Sequence, residues 1–414
     1  MLPKDMASEA PNPQTSVSAE ADLVAFKQDM KQLLRGALNL PDGRTGHVMK
    51  YAYSSVIPPG HSDSGADLYD RMMMLDTNYY IPMAEAFLVD CNRDYTRKLF
   101  QERPTVIDLG PGGYQALCLK SLPTLKMVQA KTYIAFDINE SFASNAASVV
   151  RRSRIPGLSA DFVHGDFTKP HKLEVDSPIL MTMYGCTLSQ YPLLDGGKTG
   201  EVTLTETLRN LGEMVEHKAI MFAAIDTNKH DISARNCYRG PHTDEFMRHF
   251  WLTAKTLVES SADSDKNYVS VIGDRLADPA TAVIYDPRFE NGGVTHTFYT
   301  KRHMTFVIDG ERFEIPAGTH IDAGFSAKWS AEDIKKQVRL AGWEIVKELT
   351  DGQSTIRHLV LAGKNVSDEQ KLRASGKASN GQSRQQLVAL APASAPSGTT
   401  QNKIISPFGK LDAA

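Results

Sequence analysis

The chain has 414 residues, 41% of them apolar, four cysteines and a formal net charge of −3. This is enough length for two domains or one enlarged one and enough apolar content for a globular core, and the charge gives no sign of a nucleic-acid surface. No apolar run reaches the length of a membrane span, Met1-Leu2-Pro3-Lys4-Asp5 reads as no secretory signal, and Cys91, Cys118, Cys186 and Cys237 lack metal-ligand spacing, which together predict a reduced, cytoplasmic protein with no metal site.

Residues 1–20 are polar and are expected to be disordered. Leu23, Phe26, Met30, Leu33, Leu34 and Leu38 then recur at helical spacing. Residues 66–92 predict one or two helices interrupted near Asn78 and Pro82, with Met72, Met73 and Met74 filling core. From Pro104 an α/β alternation begins, with strands expected at 105–109, 132–136, 161–164, 178–184 and 218–225. Helices are expected between them, at 114–122, 139–152 and 203–216. Residues 229–260 read as helical, and 267–325 show aromatic and β-branched alternation. Asp309-Gly310 is a hairpin turn that sets 303–308 against 311–315. Ser330 is an N-cap, Gly342 ends the helix, and strands at 343–349 and 356–362 flank Asp351-Gly352. The residues beyond 365 return to polar, disorder-type composition.

Three strand ends carry the chemistry. Val106-Ile107-Asp108-Leu109-Gly110-Pro111-Gly112-Gly113 is an apolar strand breaking into a glycine loop, where a ligand can approach the backbone closely. Tyr133-Ile134-Ala135-Phe136-Asp137 is a second strand ending in an acid suited to a ribose diol, and Phe162-Val163-His164-Gly165-Asp166-Phe167 a third, whose acid and aromatic suit an adenine. Together they place a nucleoside cofactor across the carboxyl ends of a doubly wound sheet. With Ala116 as a third small residue, the loop alone leaves a nicotinamide dinucleotide open. Asp108 argues for a ligand with an ammonium group, such as S-adenosylmethionine (SAM), over a pyrophosphate. The antiparallel closing hairpin expected at 343–362 also favours a class I methyltransferase.

Four segments resemble the histidine-specific SAM-dependent methyltransferase family, which includes the histidine N-α-methyltransferase of ergothioneine synthesis and dimethylallyltryptophan N-methyltransferases. They are Gly65-Ala66-Asp67-Leu68-Tyr69-Asp70-Arg71 leading to Tyr79-Tyr80 and Glu85, the cofactor strand ends, Gly185-Cys186-Thr187-Leu188-Ser189-Gln190, and Phe325-Ser326-Ala327-Lys328-Trp329. The resemblance implies an α/β fold: a class I, Rossmann-like, seven-stranded methyltransferase core with an inserted α+β substrate or lid domain. It divides the chain into an N-terminal helical part over 21–92, a core over 93–228, the insertion over 229–325, a return to the core over 326–365 and a disordered tail over 366–414.

The resemblance also implies roles. Asp108, Gly110, Gly112, Asp137, Asp166 and Phe167 would hold SAM; Tyr53 and Tyr79 would orient the reacting amine, with one of them or a water taking its proton; Tyr80, Gln190 and Ser326 would contact the substrate. Gly324 stands where the histidine enzymes carry an acid that binds the imidazole, and Asp322, two residues back, could replace it only with a shifted backbone. The expected activity is N-methylation of a small-molecule amine, an amino acid or similar compound but not strictly histidine. An alkaloid or peptide acceptor and a non-catalytic SAM-binding protein are the alternatives. Neither a nucleic acid nor a membrane is an expected partner, and the sequence leaves the oligomeric state unassigned.

Overall fold

The computed structural model describes residues 13–41, 43, 48–191, 203–260 and 263–377. Its core is a seven-stranded sheet of β1 (Thr105–Leu109), β2 (Thr132–Asp137), β3 (Ser159–His164), β4 (Ile179–Met183), β5 (Ala219–Asp226), β12 (Trp343–Leu349) and β13 (Ile356–Gly363), in the order β12-β13-β5-β4-β1-β2-β3. The first five strands pair in parallel. β1, β4 and β5 are buried along their whole length, which is why they read as unbroken apolar runs. β13 slots antiparallel between β5 and β12, as the closing hairpin expected at 343–362 requires. This α/β core is the seven-stranded, Rossmann-like architecture expected from the sequence.

The order reverses beside β1, and the crevice outside the carboxyl ends of the strands at such a point is where ligands bind. Three of the flanking helices begin on a side-chain cap: Asn139 for Glu140–Arg152, Thr203 for Leu204–Met214 and Ser330 for Ala331–Leu340. The helix after the glycine loop runs past the expected end at 122 to Met127 and contains a π-helical turn, Leu117–Ser121. The wider turn directs two successive polar residues, Lys120 and Ser121, into the core.

Between β5 and β12 lie two three-stranded antiparallel sheets. One orders β10 (Glu311–Ile315), β9 (Met304–Ile308) and β6 (Tyr268–Val271); the other orders β11 (His320–Ala327), β8 (Gly293–Thr300) and β7 (Val283–Glu290). The helix Pro241–Glu259 packs Phe250 and Trp251 on Phe298, and Trp251 also meets Phe306. The N-terminal helix buries Phe26, Met30, Leu33 and Leu34, and its Lys27 and Lys31 pair with Asp309 at the hairpin turn. The described residues up to Gly376 form one compact unit, and position 325 falls inside β11.

Three local expectations change. The first helix begins at Pro13, so it covers part of the stretch 1–20 expected to be disordered; residues 1–12 lie outside the described residues. The stretch from 366 is not all tail, because Ser367 caps a helix over Asp368–Ala374 whose Ala374 carbonyl accepts from Tyr95; residues 378–414 lie outside the described residues. Met72 and Met73 are core, but Met74 is exposed. No helix among the described residues is long and apolar enough to cross a membrane.

Candidate functional site

A cavity of about 410 Å³ opens over the carboxyl ends of β1, β2, β3 and β4, and its lining includes Gly110, Gly112, Asp137, Asp166 and Phe167. Gly110 and Gly112 adopt φ of +66° and +69°, which side-chain-bearing residues avoid, and a Cβ on Gly110 would project into open space. The loop is therefore a cradle shaped for close approach of a ligand to backbone. Asp137 accepts from the Asn139 amide at 2.8 Å. Burial pushes its carboxyl up to about 7, although the amides of Asn139, Gly112 and Ile138 pull it back. Asp166 accepts from the Thr168 amide at 3.0 Å and its hydroxyl at 2.6 Å, with Lys50 Nζ 3.8 Å from the other carboxylate oxygen. A glycine cradle, an acid at the end of β2 and an acid–aromatic pair after β3 fit the three parts of SAM: methionine, ribose and adenine.

Asp108 is a correction. It lies outside the cavity lining, fully buried, and accepts hydrogen bonds from Ser121 (2.6 Å), Thr182 (2.7 Å) and Tyr133 (3.1 Å) hydroxyls. Burial raises its pKa, and the hydroxyls pull it back. Its oxygens tie β1 to β2, β4 and the π-helical turn, away from the cavity.

Two buried ion pairs brace the walls. Lys120 Nζ lies 2.8 Å from Glu85, which also accepts from the Gly185 amide at 2.9 Å and faces His358 Nε2 at 3.2 Å. Burial opposes the charge on Glu85, but Lys120 and His358 overcome it and hold the carboxyl at about 2. Lys328, just beyond β11, donates to Asp226 at the end of β5 at 2.8 Å, both side chains being fully buried. Asp226 also accepts from Thr355 (2.6 Å) and Tyr80 (2.6 Å). Tyr80 is thus a second correction: its hydroxyl belongs to this network and it does not line the cavity.

The remaining wall comes from the N-terminal helices and the insertion. Tyr53, Tyr79, Gln190, Gly324 and Ser326 all line the cavity, as the sequence predicts for a substrate site. The ring of Tyr53 meets Tyr69 edge-on at 4.8 Å and Phe246 at 5.3 Å. Burial and the nearby Asp137 push the Tyr53 phenol up to about 12, and burial raises Tyr79 well above the ordinary value. Neither phenol is ionised at neutral pH, so of the two expected proton acceptors, a tyrosine or a water, these pKa directions favour the water. Gln190 ends a short 3₁₀ turn, Thr187–Gln190, behind the Gly185 amide that Glu85 holds.

Asp322 is the third correction. A β-bulge at Ala323 sets Asp322 opposite Thr297 and Gly324 opposite His296, successive residues of β8 with opposite faces. Asp322 therefore points away from the cavity, accepting from Thr297 and Arg288, each at 2.7 Å. Gly324 faces inward, where a Cβ would come within 2.7 Å of Met49 Cγ. β11 offers the cavity no carboxylate.

Sequence reasoning missed Tyr69, Lys120, Tyr184, Tyr238, Phe246 and His296 as lining residues. Tyr69 was within reach, because it lies in the quoted Gly65–Arg71 segment. Tyr238 and His296 carried no signal, one in the turn just past a short helix and the other in a strand of ordinary alternation.

Comparison with curated proteins gives no significant sequence match. Among solved structures, a SAM-dependent methyltransferase from Clostridium acetobutylicum is 13% identical, covering 72% of this chain and 96% of that one at a TM-score of 0.35. The CcbJ methyltransferase from Streptomyces caelestis is also 13% identical, covering 70% and 98% at 0.31. The Burkholderia thailandensis 1,6-didemethyltoxoflavin-N1-methyltransferase is 10% identical, covering 75% and 94% at 0.29. The sequence profile of one family matches residues 50–362, from the 3₁₀ turn that carries Tyr53 to the last core strand. The cradle over β1, the acids after β2 and β3 and this match lead to one conclusion: the chain belongs to the histidine-specific, SAM-dependent methyltransferases.

Proposed function

We propose that this methyltransferase transfers methyl groups to the amine of an amino acid or amino-acid-like small molecule, and that histidine is not its preferred acceptor. One observation carries the reading: a single cavity is lined both by the cofactor residues and by Tyr53, Tyr79, Gln190 and Ser326, while its β11 wall has glycine at 324 and turns Asp322 away. An imidazolium or imidazole N–H entering there meets no carboxylate from that strand.

Gly110, Gly112, Asp137, Asp166 and Phe167 would hold SAM, which would supply a sulfonium methyl to the amine lone pair with S-adenosylhomocysteine as the leaving group and the amine proton passing to solvent. The residues of this chain position and enclose. Tyr53 and Tyr79, held protonated, can accept an N–H of the amine and aim its lone pair. Their rings, with Tyr69, favour the positive charge that the product amine acquires. The Gln190 amide offers both a donor and an acceptor to an amino-acid head group. The free cysteines support a reducing, cytoplasmic setting. A bulkier acceptor, such as an alkaloid or peptide intermediate, is the second reading, favoured by the absence of a carboxylate on the β11 wall.

Calorimetry in saturating S-adenosylhomocysteine tests the head-group assignment. Free L-amino acids should bind, and their N-acetyl derivatives should bind at least tenfold more weakly, because the acyl group removes the amine lone pair from reach. Equal binding of the two sets would contradict the reading.

A further inference from the structure

At the β8–β11 wall a buried charge sets the direction of a hydrogen-bond chain. The Lys328 ammonium has donors only, and its Nζ lies 3.4 Å from the Tyr238 hydroxyl. Tyr238 accepts there, so its own hydrogen is free for Ser326 Oγ, 2.7 Å away. Ser326, having accepted, turns its hydrogen away from Tyr238, and it lines the cavity.

His296 acts in parallel from β8. Burial, with Lys328 nearby, pushes its pKa down to about 3, so the ring is neutral. Its Nδ1 is 2.7 Å from the Tyr285 hydroxyl, which has no other hydrogen-bond partner among the described residues. Burial keeps Tyr285 protonated, so its hydrogen goes to Nδ1 and the imidazole hydrogen sits on Nε2. His296 lines the cavity opposite Gly324 and packs edge-on against Tyr238 at 4.8 Å.

We propose that Ser326 Oγ–H and His296 Nε2–H form a paired donor site that selects an acceptor molecule whose side chain ends in a carbonyl or carboxylate oxygen. The inference rests on the amino-acid reading above and adds the chemistry of the side chain. Tyr238 and Lys328 are positioning residues, acting through Ser326. The bulge at Ala323 contributes by removing Asp322, a carboxylate that would repel such an oxygen.

The test uses the full chain with SAM and size-matched amino-acid pairs, scored by kcat/KM for methylation. The pairs are 4-acetyl-L-phenylalanine against 4-isopropyl-L-phenylalanine, and L-aspartate against L-leucine. The oxygen-bearing member should be favoured about tenfold or more. Tyr238→Phe frees Ser326 to donate or accept and should shrink that ratio several-fold with S-adenosylhomocysteine affinity unchanged; Ser326→Ala should shrink it by the same route should Tyr238→Phe fold poorly. A wild-type ratio near one, or a ratio that neither variant changes, overturns the proposal. Methylation of neither member of any pair, with S-adenosylhomocysteine still bound, overturns the amino-acid reading and this inference with it.

Discussion

Lys328→Met is expected to lower the unfolding free energy by about 3–5 kcal/mol, the usual cost of stripping one partner from a buried pair. The side chains of Lys328 and Asp226 are both inaccessible to solvent, so the carboxylate left behind has no water to turn to. Thr355 and Tyr80 would still donate to it, which sets the loss nearer the lower bound. Proton uptake offers a partial escape. In the wild type, burial opposes the charge on Asp226, but Lys328 and its other donors hold the pKa below the ordinary value; without the ammonium, burial dominates and raises the pKa above it. The variant should therefore be least destabilised at low pH and lose stability as pH rises, opposite in sign to the wild-type pair, which loses its contribution as pH falls through the depressed pKa. Urea unfolding at several pH values measures both. Because Lys328 joins the end of β11 to the end of β5, the loss should also loosen the β11 wall, visible as faster amide exchange over 320–327 than over β1.

The second large effect is on the cofactor. Asp137→Ala should weaken S-adenosylhomocysteine binding by about two orders of magnitude, since two ribose hydroxyls would lose a charged acceptor worth about 1.5 kcal/mol each. The wild type should show a matching pH dependence. Burial pushes the Asp137 carboxyl up to about 7 in the free protein, and hydroxyl donors favour its ionised form. Binding then releases a proton below pH 7, so affinity should climb by up to about tenfold per pH unit until 7 and level off above it. Calorimetry in buffers of different ionisation enthalpy reads the proton directly. The Asp137→Ala variant should lose that dependence.

Much of the core was legible because its signals are local. Buried parallel strands are apolar along their whole length, as in Ala219–Asp226, and caps such as Ser330 or the Asp309-Gly310 turn act within four residues. The acids assigned to the cofactor stood out for the same reason, Asp137 ending β2 and Asp166 lying two residues past β3. The site's far wall was not, because its geometry is set by partners distant in sequence. Tyr80 looks like a substrate residue until its hydroxyl is seen on Asp226, 146 residues away. Asp108 looks like a ligand for a cation until three hydroxyls from other elements occupy it. Asp322 shares a face with Gly324 in any regular strand, and a single bulged residue reverses that. His296 is one residue among eight in β8, and only Tyr285 on β7 and the cavity opposite distinguish it.

The claim that this methyltransferase acts on the α-amine of an amino acid is tested most directly by incubating the full chain with SAM and each common L-amino acid, alongside the corresponding decarboxylated amines, and reading methylated products by mass. Mono-, di- or trimethylated product is expected on the nitrogen of at least one amino acid, with histidine well below the best acceptor. Histidine as the best acceptor, or methylation confined to oxygen or carbon, would contradict it.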